Sequence, residues 1–445
     1  MDMFNEVVYA PDAKLSLSRE VYDLFLGRYT KVGQHRLEVV HTVRTDLTKN
    51  LSDVIPVIMS ESKYATAKEL GYPEDWTPVK LYKTMLNMVA LLSARVFVGF
   101  PLSRDEEWLN MTIEYTMQMV AVQTRSKGWN PLLRPLIAPF LPEVRKAASM
   151  LDKARKYVEP LVKDVMADHD REKTGPSRAG MRGSFISWLI NNSPPSLKTS
   201  RRIGESQLLI SFAAIHTTSM SGSNVIFDLA CRPEYIQPLR EEIESVIRED
   251  GMETDADGLT YLGKQSFAKL KLLDSFIKES QRLSPLSFLG MMRTSLQDYT
   301  FSNGITIPEG TRIAFPMWAL HQSDTTTTYS PEYNKDTGNA GPEVFDGYRF
   351  LRLRNLPGRE TRHQAVTTGP EAINFGHGPH SCPGRFFAIY EIKVLLVELL
   401  LNYDIRIKGD VDGKGGEHLR PKNYSHDNSS IPNPTGEIEI RKRRI

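Results

Sequence analysis

The chain has 445 residues, 40% of them hydrophobic and 25% charged, with a formal net charge of +2 at neutral pH. That apolar content supplies a sizeable core and excludes disorder as the main character of the chain. The near balance of charge gives nucleic-acid binding no electrostatic support, so no nucleic-acid partner is expected.

Met1 to Ala10 carries acids where a signal peptide has a basic and then an apolar region. No uncharged apolar run reaches the roughly 18 residues of a membrane span. The best candidate, Met85 to Phe100, holds Asn87, Ser93 and Arg95 and reads as a buried helix. Residues 1–46 assign poorly, apart from an amphipathic helix over Leu15 to Gly27. Val43 to Leu70, Leu81 to Val98 and Asp105 to Trp129 follow as helices. The last has Met117, Met119, Val120 and Val122 on one side, a face that suits either core or an adaptable apolar pocket.

Between Asn130 and Leu141 an apolar run is broken by Pro131, Pro135 and Pro139, with Pro142 just beyond. The stretch cannot be a regular helix, and reads either as a loop packed on the body or as an exposed loop that dips into a membrane surface. Helix returns from Glu143 to about His169, followed by a flexible Gly/Arg/Ser-rich linker over Glu172 to Ser184 and a short helix over Phe185 to Asn191.

Leu197 to Cys231 is the longest helical run, and its centre, Ala213 to Ser219, has small and hydroxyl residues where Leu or Val would be usual. Mid-helix Thr and Ser can bond back to a carbonyl one turn earlier and bend the helix beside a ligand. A plain small-residue helix crossing explains the segment equally well. Glu234 to Arg248 and Ser266 to Leu283 are further helices. After them the texture changes to short strands, with an Asn303-Gly304 hairpin signal, Thr311 to Phe315, and a C-terminal pair, Tyr403 to Ile407 and Glu437 to Ile440. An irregular meander fills 330–374. The basic end, Arg441 to Arg444, reads as a solvated tail.

Asn374 to Ala388 carries the most specific motif. Phe375-x-x-Gly378-x-x-x-Cys382-x-Gly384 should arise by chance in on the order of one chain in a thousand. Cys382 lies just before a helix, where unpaired N–H groups favour thiolate. Gly376, Gly378 and Gly384 permit positive φ and close approach to a flat ligand. That combination suits an iron-porphyrin. His377, His380 and Cys382 are also possible zinc ligands, but no fourth ligand at zinc spacing accompanies them. The other cysteine, Cys231, leaves no disulfide framework and points to a reducing compartment. Glu279 and Arg282 share a helix face at i,i+3. A second such pair, Glu417 and Arg420, lies in a polar segment expected on the surface. Arg349, between aromatic residues, could join Glu279 and Arg282 in a buried network that sets geometry.

With these motifs in this order, the chain resembles the cytochrome P450 family of haem-thiolate monooxygenases from about Leu47 to Arg443. The resemblance implies a mainly α fold with a small β portion, one domain over 1–445, and haem b (iron protoporphyrin IX) as cofactor. It makes Cys382 the iron ligand, with Phe375, Gly376 and Gly384 around it. Glu279, Arg282 and Arg349 become the structural triad, and His380 and Arg293 the contacts to the haem propionates. Thr217 falls on the oxygen-activating threonine, with Ala213 and Ala214 leaving room for oxygen. His216 stands where the family has an acid, so it is the implied proton relay. Pocket walls are expected from Met117, Val120, Phe212, Ser287, Phe288, Leu289 and Ser430.

Segments such as Ser211–Ser219, Val98–Arg104 and His377–Ala388 are similar to filamentous-fungal members of secondary metabolism. That implies an apolar terpenoid, indole-diterpenoid or alkaloid substrate. NADPH-cytochrome P450 reductase is the implied partner, with cytochrome b5 a second electron donor, at the cytosolic face of the endoplasmic reticulum membrane. Members of this type begin with an anchor, a proline-rich hinge and the first strands of a sheet, and this chain starts after them. A sheet without its first strands, and a soluble or peripheral chain, are therefore expected. Two alternatives remain open: a haem-thiolate isomerase or dehydratase that needs no oxygen, and a haem-binding protein without turnover.

Overall fold

Helical spacing of apolar residues dominates the chain, and the computed structural model, which describes residues 2–130, 132–172, 184–254, 258, 260–326 and 328–444, is built mainly of helices. The long ones around the site are α1 (Leu51–Glu69), α2 (Leu81–Phe97), α3 (Glu106–Lys127), α4 (Pro142–Glu172), α5 (Ser200–Ala230), α6 (Lys271–Leu283) and α7 (Arg385–Asn402). Asp105 caps α3 by accepting from the Trp108 amide at 2.8 Å, and Thr199 caps α5 by accepting from the Arg202 amide at 3.2 Å.

Helix α5 runs through the middle and packs most extensively on α4 and α2. Its approach to α4 requires Gly204, because a Cβ there would lie 2.8 Å from the Arg155 backbone nitrogen. Helix α2 is buried along nearly its whole length, as its sequence predicts. One apolar core reaches from Val32 to Ile440 and takes side chains from all these helices. Among the described residues no helix is long and apolar enough to cross a membrane.

The strands are short. β1 (Leu15–Ser16), β3 (Leu289–Ser295) and β4 (Arg312–Pro316) form an antiparallel sheet in the order β1-β3-β4, after β2 (Thr77–Lys80) in the chain has joined a second sheet. In that second sheet β6 (Glu437–Lys442) lies between β2 and β5 (Tyr403–Ile407). The expected hairpin pairs Tyr299 with Ile307 and Thr300 with Thr306, and Gly304 takes φ +84° in its turn.

Several expectations change. The poorly assigned start contains a helix, Asp2–Tyr9, whose Phe4 and Val8 pack on Met291, Met317 and Ile373 beneath the Cys382 loop. Too short to persist alone, it depends on that contact. The Ser266 to Leu283 helix is interrupted at Leu270, and the 330–374 meander contains the short helices Pro331–Asn334 and Arg349–Arg354. The expected linker falls largely on 173–183, outside the described residues.

The basic end is no free tail. Arg441 and Lys442 belong to β6, Arg441 binds Asp404 at 3.1 Å, and Arg443 binds Glu244 at 2.9 Å. Arg420 is likewise mostly buried, bound to Asp228 at 2.6 Å rather than to Glu417. A polar segment can still lie over a buried acid, and its local composition does not reveal this.

Candidate active site

The Cys382 loop enters α7 through the 3-10 turn Gly378–His380. Gly376 and Gly378 take φ of +65° and +70°, as expected, and a Cβ on Gly378 would strike Val8 Cγ1 at 2.3 Å. Gly384 differs: its φ is −88°, and a Cβ there would meet only Val43 Cγ1 at 3.9 Å, so protein packing does not demand glycine. The Cys382 amide donates to the Phe375 carbonyl at 2.7 Å and closes the loop.

Burial pushes the Cys382 thiol up, against the pull of the Gly384 and Arg385 amides and the Arg385 guanidinium. The amides at the helix start do favour the thiolate, as expected, and in the protein by itself desolvation outweighs them. A cationic metal centre would reverse that balance.

Helix α5 is buried along most of its length, yet Ala213 and Thr217, one turn apart, are exposed and Ala214 is half-exposed. Thr217 lines a cavity whose other walls include Phe375 and Ala388, on either side of Cys382 in the chain, with Met317, Ser287 and Ile392. Thr217 donates its hydroxyl to the Ala213 carbonyl at 2.7 Å, so its oxygen lone pairs remain available to the cavity. The helix is continuous here; this back-bond does not break it.

At the loop edge several cations converge. Arg293 is 2% exposed; its Nη1 donates to the Met292 carbonyl at 2.8 Å, while Nη2 is buried without a protein partner. Burial, then the nearby Arg293 and Arg44, hold the His380 imidazole below its ordinary range, with Asp12 opposing. Arg44 also donates to the Pro379 carbonyl at 2.5 Å. A buried guanidinium with one free nitrogen, beside further positive groups and the single acid Asp12, suits a ligand with an anionic edge. A macrocycle with two carboxylates over a cysteine fits this donor set. Arg44 was missed in the sequence, where nothing distinguishes it from any surface arginine. His377 does not join a metal cluster with His380 and Cys382: its Nδ1 faces Thr368 Oγ1 at 3.0 Å and its ring stacks on Phe4.

Behind the loop, Glu279 is fully buried. It accepts from Arg282 Nε and Nη2, each at 2.8 Å, and from Arg349 Nε at 3.1 and 3.2 Å. The Asp346 amide adds a bond at 2.8 Å, and Arg349 reaches the Ala340, Gly341 and Val344 carbonyls. The network fastens the meander to α6. Asp274 makes a second tie that sequence reasoning missed, binding Lys393 of α7 at 2.7 Å and Arg354 at 3.1 Å.

Comparison with known proteins decides what this arrangement belongs to. The sequence model of the cytochrome P450 family matches residues 4–418. The chain belongs to the cytochrome P450 family. It is similar to cytochrome P450 monooxygenase ascG of Acremonium egyptiacum, 43% identical over 442 residues that cover 99% of this chain and 83% of that one. Cytochrome P450 monooxygenase 3 of Gibberella fujikuroi is also 43% identical, over 422 residues, 94% of this chain and 79% of the relative. Cytochrome P450 monooxygenase BOA4 of Botryotinia fuckeliana is 35% identical over 441 residues, 99% and 82%. The mainly α fold with small sheets is the P450 fold, the enzyme class is monooxygenase, and the family cofactor is haem held by a thiolate.

In this P450, His216 does not reach the open strip. It is 6% exposed and turned toward α2 and α3, with Nε2 against the Ile113 carbonyl at 3.0 Å and Nδ1 against the Tyr82 hydroxyl at 3.2 Å. Only an N–H can pair with a carbonyl, so Nε2 donates and Nδ1 accepts. Burial lowers the pKa of the ring, against the opposing pull of the Ile113 carbonyl. His216 is placed as a helix-packing residue, which corrects its expected role as a proton relay.

Of the expected pocket residues, Ser287 lines the cavity, together with Thr217 and Phe375. Phe212 packs edge-on to Phe25 and Tyr115. Met117 is 59% and Val120 40% exposed, and neither lines the cavity. Phe288, Leu289 and Ser430 hold the 424–431 hairpin: Phe288 donates to the Asn428 carbonyl at 2.9 Å and the Ser430 amide to the Leu286 carbonyl at 3.0 Å. The cavity adds Thr218, Ser221, Gln281 and Ser284, which sequence reasoning passed over.

Proposed function

We propose that this monooxygenase oxidises an apolar, polycyclic secondary metabolite of terpenoid, indole-diterpenoid or alkaloid type, with Cys382 ligating the iron of haem b and 1–445 acting as one domain. One observation carries the site: Thr217, on the open face of a buried helix, shares a cavity with Phe375 and Ala388, which flank Cys382 in the chain. When bound, the haem supplies the oxygen chemistry, which thiolate ligation favours by pushing electron density toward the iron.

The chain supplies the setting. Cys382 gives up its proton on ligation, and the Gly384 and Arg385 amides stabilise the sulfur charge. Arg293, His380 and Arg44 hold the carboxylate edge. Ala213 and Ala214 leave the helix face low, and Thr217 offers an acceptor there. Leu286, Met317 and Ile392 make the cavity apolar and favour a hydrocarbon substrate over water.

Electrons come from NADPH-cytochrome P450 reductase, with cytochrome b5 as a second donor, at the cytosolic face of the endoplasmic reticulum membrane. The contact with that membrane is the 130–141 loop. Leu132, Leu136 and Phe140 are 85%, 69% and 70% exposed, while Ala138 and Leu141 anchor the loop to the body, which supports this reading. Arg125, Lys127, Arg134 and Arg145 lie in and around it, which suits anionic lipid.

The test uses the holoenzyme with reductase, a panel of such polycyclic scaffolds and heavy oxygen gas. Spectral shifts of the haem with members of the panel, and NADPH-dependent product bearing the label, are expected. Unlabelled product formed without NADPH, or no response from any scaffold, contradicts the reading.

A further inference from the structure

The cationic rim beside the Cys382 loop contains one acid, Asp12. It lies in the turn that follows the Asp2–Tyr9 helix, where the Lys14 and Leu15 amides donate to the Pro11 carbonyl at 2.8 and 3.1 Å. The chain then enters β1, and Ser16 pairs with Thr294 of β3, the residue after Arg293. That register brings the turn toward the Arg293 guanidinium. Ser16 Oγ accepts from the Arg19 amide at 3.0 Å and donates to Asp12 Oδ2 at 3.2 Å, which fixes the carboxyl group.

The other oxygen, Asp12 Oδ1, is buried without a protein partner, and so is Arg293 Nη2. The two side chains are close, because Asp12 opposes the lowering of the Arg293 and His380 pKa values that burial causes. They do not touch: among the described residues no ion pair joins them. A turn acid that served only the surface would keep both oxygens in water. A buried donor and a buried carboxyl oxygen are instead left for one group that accepts from the first and donates to the second. A carboxylic acid does both.

Charge points the same way. Arg293 and Arg44 are the fixed cations of the rim, and the carboxylate edge of haem brings two negative charges to match them. Asp12 is then a third acid without a cation of its own, and acids that share a buried site cannot all ionise. On its other side Asp12 lines a cavity of about 570 Å³ with Arg19, Tyr22 and His35. Arg19 is already committed to Asp23 at 2.6 Å.

We propose that Asp12 binds the carboxylate edge of haem by sharing one proton with it, so that loading the cofactor takes up a proton at this site. The proton comes from solvent and is held between two carboxyl oxygens; no other bond forms or breaks there. The proposal rests on the reading of Cys382 as haem ligand and of Arg293 as a carboxylate contact.

The test titrates haem into the haem-free protein between about pH 6 and pH 8, for wild type, Asp12→Asn and His380→Gln. The reduced carbon-monoxide difference spectrum of each loaded protein is recorded. The proton that Cys382 gives up on ligation is common to all three and cancels in the comparison. Binding that takes up a proton weakens as pH rises, so wild type should lose affinity about tenfold per pH unit relative to Asp12→Asn. His380→Gln should keep the wild-type slope. Parallel slopes for wild type and Asp12→Asn overturn the proposal, and a slope lost in His380→Gln assigns the proton to the imidazole and overturns it as well. Absence of a thiolate-type band in wild type is a failure of the haem reading instead. Should Asp12→Asn not fold, a crystal structure of the wild-type holoenzyme decides the matter. An Asp12 Oδ1 within about 2.5–3.0 Å of a haem carboxyl oxygen supports the shared proton, and any longer separation overturns it.

Discussion

Two arginine clusters lie on either side of the Cys382 loop and differ in one respect. Around Glu279 each guanidinium nitrogen of Arg282 and Arg349 donates to the carboxylate or to a backbone carbonyl. Around Arg293, Nη2 is buried with nothing in the protein to bind, and Arg44 and His380 lie nearby. The closed cluster spends its hydrogen bonds on holding the meander to α6. The open one retains its capacity, and the charge arrangement calls for an anionic ligand.

The largest difference should come from removing the shared acid. Glu279→Ala leaves two buried guanidinium groups facing each other, and should lose about 3–5 kcal/mol or fail to fold, as read by chemical denaturation. Stability within about 1 kcal/mol of wild type, close to what an ordinary surface substitution costs, would make the closed cluster an ornament.

Next comes pH. His321 lies against the closed cluster, where Arg282 donates to its carbonyl at 2.9 Å. Burial, then Arg282, push its imidazole down to about 3. The unfolded chain takes up a proton near the ordinary histidine value of about 6.5 and the folded one does not. Stability is therefore full above that value and falls as the pH drops toward 3, by up to about 1.4 kcal/mol per unit. His321→Gln, which keeps an acceptor for the Ile373 amide, should flatten the denaturation midpoint over that window. An unchanged slope would show that His321 does not titrate this way.

Arg293→Leu sharpens the contrast. Because Nη2 has no protein partner, the haem-free variant should keep its stability within about 1 kcal/mol. Its haem affinity, by titration, should fall about tenfold to hundredfold. A large loss of haem-free stability would place Arg293 with the closed cluster instead. Smallest in its effect on folding is Leu132→Asp with Leu136→Asp, both exposed, in the 130–141 loop. Denaturation should be unaffected while sedimentation with anionic liposomes falls, and equal sedimentation would remove the loop from the membrane.

What the sequence made legible followed spacing. Glu279 and Arg282 at i,i+3, the long buried α2, the Asn303-Gly304 hairpin and the unusual centre of α5 are all local patterns that local geometry preserves. What it hid depended on which element arrives from elsewhere. His216 looked like the neighbour of Thr217 along the chain, but a helix turns about 100° per residue, which carries it to Tyr82 and Ile113. Arg420 looked like half of a surface pair until α5 brought Asp228 beneath it. The Cys382 thiol illustrates a balance of magnitudes: amides at a helix start favour the thiolate, and burial outweighs them.

The central claim is that Cys382 holds the cofactor in a seat made by the open face of the site. Its most direct test is the carbon-monoxide difference spectrum of the reduced holoprotein, with Cys382→Ala beside it. A thiolate-type band in wild type that disappears in the variant is the predicted result. A band that survives the loss of Cys382, or none in wild type loaded with haem, would contradict it.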